Sequence, residues 1–170
     1  MATDDGEPGP AADPTTERTA ERPPERPPER PDHWLWRLDA DAWLRAAATE
    51  LAAAADNLAT RRTAVTHARR AAGMALNAVL TLAPGADDLR WGRSYIDHLR
   101  ALADPQRPID PLPAEVRPLA AGLLAIPVVG TATTLLQLGR TAHSAAQQAL
   151  DLAHALVAHC TRATARPPAR

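Results

Sequence analysis

The clearest pattern of apolar and polar positions lies at residues 61–83, RRTAVTHARRAAGMALNAVLTLA, where Val65, Ala68, Ala72, Leu76 and Val79 recur at spacings of three and four. That is the period of a helix with one apolar face. Met74, Ala78 and Leu82 widen the face, Gly73 and its neighbouring alanines permit close approach of another helix, and Pro84-Gly85 ends the run. Upstream, Leu44, Leu51 and Leu58 repeat every seven residues, with Ala47, Ala48 and Ala55 in the same stripe. This predicts a first helix reaching about residue 58, with Asp39 or Asp41 as its N-cap. A short turn at residues 57–60 separates the two helices, and Trp34, Trp36 and Trp43 are expected to close one end of a bundle.

Further along, Trp91, Tyr95, His98 or Leu99, and Leu102 form the inner stripe of a third helix at about residues 92–102. The segment DPQRPIDPLP at 104–113 is punctuated by proline and reads as a loop. Residues 118–139 contain no charge over 22 positions, long enough to test as a membrane span. Pro127, Gly122, Gly130, Thr131, Thr133, Thr134 and Gln137 argue instead for a buried helical hairpin. A last helix at about 133–164 carries the stripe Leu135, Leu138, Ala142, Ala145, Ala149, Leu152 and Leu156.

The pattern therefore predicts an all-α protein: an antiparallel four- to five-helix bundle over residues 33–164, a frayed tail at 165–170, and an N-terminal arm at 1–32. The arm contains the repeat ERPP-ERPP-ERP and eight of the seventeen prolines, so it is expected to be disordered and partly polyproline II. About 138 residues remain to form a core. With no Phe, one Tyr and four Trp, that core is built mostly from Leu, Ala and Val. A lone cysteine, Cys160, excludes an internal disulfide and offers no metal-site spacing. The acidic, proline-rich start lacks the pattern of a signal sequence, and a cytoplasmic location is expected.

Charge is distributed unevenly. Residues 1–32 hold nine acidic residues and four Arg, a net −5, whereas the remainder holds fifteen Arg and eleven acids, a net +4 with His neutral. Between Arg61 and Arg100 there are seven Arg and three acids, Asp87, Asp88 and Asp97. A basic face centred on Arg61, Arg62, Arg69, Arg70, Arg90 and Arg93, with Asn77 nearby, predicts an anionic partner. The acidic arm is a candidate competitor for that face. All nineteen basic residues are Arg, which matches a compositional bias toward Arg, Ala and Pro more simply than a need for guanidinium geometry.

For chemistry, the sharpest pair is Arg62 and His67: in RNA cleavage without a metal, Arg offsets phosphate charge and His moves a proton. On an ideal helix the two diverge by about 140°. Asn77, among apolar neighbours, requires a partner if buried. His143, Gln147, His154 and His159, with Arg140, lack the i, i+4 histidine spacing of a metal site and read as surface or interface residues. No glycine-rich phosphate loop, nucleophile elbow or carboxylate pair at useful spacing is present, and no cofactor is expected.

RTAVTHARRAAGMALNAVL (62–80) and RWGRSYIDHLRAL (90–102) together resemble the HEPN superfamily of small antiparallel helical bundles. The first resembles that family's alanine-rich helix with a polar Asn, and the second its partly basic helix after a loop. Many members are dimeric RNases with an Arg-x4–6-His motif, whose spacing Arg62 and His67 match. Others bind nucleotides or pair with a nucleotidyltransferase in toxin–antitoxin modules. Thr63 stands where active members often carry Asn, Asp or His, and the motif usually lies in a later helix. The resemblance therefore implies a non-catalytic member that binds RNA, a nucleotide or an acidic protein, as a homodimer through an alanine-rich face. The alternatives are an RNase using Arg62 and His67, and a protein–protein adaptor with no anion site.

Overall fold

The computed structural model describes residues 34–83, 91–92, 94–106, 112–129 and 135–165. The expected arm at 1–32, the tail beyond Ala165, Pro84-Gly85, Arg90 and Arg93 lie outside the described residues. So do the side chains of Trp34, Trp36 and residues 135–142, among them Leu135, Leu138, Ala142 and Arg140. Among the described residues the protein is all-α, with a 3-10 turn at Trp34–Arg37 followed by five α-helices and no strand.

Helix α1 (Ala40–Asp56) starts where Asp39 Oδ1 accepts the Ala42 N–H at 2.7 Å, so Asp39 is the cap of the two candidates. Its core face is Trp43, Ala47, Leu51 and Ala54. Of the expected heptad only Leu51 is buried; Leu44 and Leu58 are half-buried, and Ala48 and Ala55 are exposed. A strict seven-residue repeat drifts around a straight helix. Trp43, whose Nε1–H donates to the Leu35 carbonyl at 3.0 Å, sets the face one position earlier.

Helix α2 (Arg61–Leu80) is the axis of the fold and packs against α1, α3 (Tyr95–Ala103) and α5 (Leu135–Ala165). The expected stripe is buried, and from Ala71 to Leu80 every residue except Met74 is buried. Leu82 is 59% exposed and does not widen the face, because the helix ends at Leu80, before it. Glu50 lies seven residues before the 57–60 turn and His67 seven after it, and the two are in contact. α1 and α2 therefore form an antiparallel hairpin.

Gly73 is where α3 reaches α2: a Cβ there would sit 2.4 Å from Tyr95 Cβ and 3.0 Å from its Cα. α3 begins at Tyr95, with Ser94 as N-cap, and not at residue 92. Gly92 has φ +80, a left-handed conformation incompatible with a right-handed helix. His98 and Leu99 are both buried. Helix α4 (Val116–Ala125) packs against α3 and α5. Residues 130–134, the turn of the expected buried hairpin, lie outside the described residues. Pro118, Ala121, Ala125, Pro127 and Val129 are exposed, so this segment is not buried all round. No helix of the described residues is long and apolar enough to cross a membrane. On α5 the buried face is Ala146, Ala149, Leu150, Ala153, Leu156 and Cys160. Leu152, expected at its centre, lies half-buried at the rim beside Gly122 of α4.

Candidate functional site

The residues expected to line a basic face have divergent fates. Arg69 is drawn inward: its Nε donates to the Leu123 carbonyl at 3.2 Å, and its Nη2 donates to those of Leu124 at 2.9 Å and Ile126 at 2.7 Å. These carbonyls close the C-terminal end of α4, where the last turn has no intrahelical donors. The guanidinium thus caps that end and complements its partial negative charge. Burial lowers the Arg69 pKa, with Tyr95 opposing the shift and Arg100 adding to it. Arg61 acts similarly nearby, its Nε donating to the Pro127 carbonyl at 2.7 Å. Both tie α2 to the α4 end of the bundle.

Asn77 is buried, and its Oδ1 accepts from His98 Nδ1 at 2.7 Å. The edge of the equally buried His98 ring meets Trp91 in a T-shaped contact with centroids 6.4 Å apart. The pair is a core hydrogen bond between α2 and α3, so Asn77 does not present itself to a surface anion.

The outward face of α2 carries Arg62, Thr66 and Arg70, one helical turn apart, with His67 turned toward α1. Arg62 is exposed, and among the described residues its side chain has no hydrogen-bond or ion-pair partner. Thr66 Oγ1 donates to the Arg62 carbonyl at 2.7 Å, which leaves its hydroxyl oxygen facing outward as an acceptor. Glu50 of α1 binds two of these residues at once. Its Oε2 lies 2.6 Å from His67 Nδ1, and its Oε1 lies 3.2 Å from Arg70 Nη2.

Since a carboxylate only accepts, His67 carries its proton on Nδ1, and Nε2 is the atom left for other chemistry. Among the described residues Nε2 has no hydrogen-bond partner, and the side chain is 26% exposed. Arg70, 41% exposed, uses one nitrogen for Glu50 and keeps the rest of its guanidinium toward solvent.

Arg62 and His67 are therefore not brought together within the chain; Arg70 is the cation that shares a partner with His67. Arg90 and Arg93 lie outside the described residues. Asp97 binds Arg100 at 3.3 Å and accepts the Ser94 hydroxyl at 2.7 Å. On α5, His143 and His154 are exposed and Gln147 donates to Asp151 at 2.9 Å. Among the described residues no group of three or more metal-ligating side chains is assembled. Glu50 was not anticipated from sequence, although its mirror placement with His67 about the turn was a usable signal. Compared with family models, curated proteins and solved structures, the chain matches none.

Proposed function

We propose that this protein is a HEPN-like, non-catalytic helical bundle that binds RNA through the outward face of α2. The observation that supports it is the row Arg62, Thr66 and Arg70, with His67 beside it. Two outward guanidinia two turns apart, about 12 Å along the helix axis, suit a polyanion with phosphates in series better than a single small anion. The resemblance of residues 62–80 and 90–102 to HEPN helices supports the same reading. A homodimer and a nucleotidyltransferase-type partner belong to that resemblance.

Two observations weigh against catalysis. Arg62 and His67 leave α2 in directions about 140° apart, and the imidazole is tied back to α1. One contact favours an alternative: Glu50 orients His67 as a carboxylate orients a general base, so a metal-independent RNase using Arg62 and His67 is the second reading.

Incubating wild type and His67→Ala with labelled single-stranded RNA in EDTA separates these readings. Salt-sensitive binding without cleavage is the expected outcome. Cleavage by wild type that His67→Ala abolishes would establish the RNase. The absence of both binding and cleavage would reject the RNA reading and turn attention to an adaptor role.

A further inference from the structure

We infer that the Glu50–His67–Arg70 cluster is a proton-gated phosphate contact, with Glu50 as the residue that positions the imidazole. The inference rests on the RNA-binding reading and deepens it by assigning a proton-dependent element to the same face. Glu50 fixes the ring by holding Nδ1–H at 2.6 Å, and this arrangement is satisfied in both charge states of His67. In the neutral ring Nε2 is an acceptor and is repelled by a phosphate oxygen. In the protonated ring Nε2–H is a charged donor beside Arg70, one turn along the same helix. Imidazole is the side chain that exchanges a proton most readily, which makes a contact through Nε2 sensitive to acidity.

The surroundings favour this assignment. From α1 the facing ionisable group is Glu50, and from α2 itself it is Arg70. On the other helices packed against α2, Asp97 and Arg100 pair with each other on α3, while His143, Asp151, His154 and Arg162 are exposed on α5 and His159 is half-buried there. Glu50 is itself well covered, with 14% of its side chain exposed, and both carboxylate oxygens are in use. Its negative charge is thus committed to the cluster and offset by Arg70. Protonation of His67 adds a net positive charge at the surface.

The test is fluorescence anisotropy with a labelled oligouridine strand, whose bases do not titrate from about pH 5.5 to 8, at fixed moderate salt. Wild type is expected to bind roughly tenfold tighter at the acidic end, the effect of one added charge-assisted hydrogen bond. His67→Gln should bind with little dependence on pH. Glu50→Gln, which keeps an acceptor for Nδ1–H but removes the charge that favours the imidazolium, should reduce the tightening at the acidic end. Glu50→Asp should restore much of the wild-type profile, and Arg62→Ala should weaken binding while keeping the pH dependence. A flat wild-type profile with salt-sensitive binding intact would overturn the gate and leave the RNA-binding reading standing. A His67→Gln profile matching wild type would also overturn it. The absence of binding at every pH would overturn both.

Discussion

Arg69 combines the properties of a surface cation and a structural tie. Three hydrogen bonds carry it to carbonyls 54 to 57 residues away, at the end of α4. Hydrogen bonds to charged groups contribute about 1.5–3 kcal/mol each when well covered, and partial exposure discounts that figure. Arg69→Ala is therefore expected to destabilise the fold by about 2–3 kcal/mol, measured by urea denaturation. Arg69→Lys should recover only part of the loss, because an ammonium cannot reproduce the planar fork. Its neighbour Arg70 should behave differently: Arg70→Ala is expected to cost little stability and to reduce polyanion binding. Nothing in RRTAVTHARR distinguishes the two, since the partner of each is fixed by packing far along the chain. Glu50 and the α4 carbonyls decide their roles, and no local pattern contains them.

At the scale of elements, Gly73 shows two rules in opposition. Helix propensity alone favours Ala over Gly by about 1 kcal/mol in a helix interior. Against this, an added Cβ would lie 2.4 Å from Tyr95 Cβ and 3.0 Å from that residue's backbone, so α3 would have to move. Overpacking of this kind costs about 1–3 kcal/mol, and backbone cannot step aside as a flexible side chain does. Gly73→Ala is thus expected to lower the unfolding midpoint; a stabilised variant would show that α3 does not dock there.

This close approach and the buried face of α2 were legible in the sequence, since each follows from local spacing and residue size, and the cap of α1 was legible to one of two residues, Asp39 or Asp41. The faces of α1 and α5 were legible only to within part of a turn. Trp43 and Ala146 override the leucine repeats there because burial is set by what the neighbouring helix accommodates. The start of α3 was misplaced by the positive φ of Gly92, which backbone geometry reveals and composition does not.

Across the whole molecule, the core is built from Leu, Ala and Val around α2, and it encloses Cys160. Burial pushes the Cys160 thiol from its ordinary value of 9.0 up to about 12. Native protein should therefore resist thiol alkylation at about pH 8 and react only after denaturant opens the bundle. Because the folded value is the raised one, the associated stability is complete below about pH 9 and declines as pH rises toward about 12. A flat stability profile across that alkaline window would mean that the thiol is hydrated.

The fold, in turn, presents the row Arg62, Thr66 and Arg70 outward, ties Arg61 and Arg69 to backbone carbonyls at the α4 end and buries Asn77. The measurement that tests this division most directly is oligouridine affinity across a salt series for wild type, Arg69→Lys and the double variant Arg62→Ala/Arg70→Ala. Wild type is expected to show log affinity falling with log salt. The double variant should bind more weakly, with a slope shallower by about 1.4, close to 0.7 for each single-strand phosphate that is no longer neutralised. Arg69→Lys should keep the wild-type slope with a lower unfolding midpoint. Binding that ignores salt, or a double variant with an unchanged slope, would contradict the assignment of Arg62 and Arg70 to an RNA-binding face.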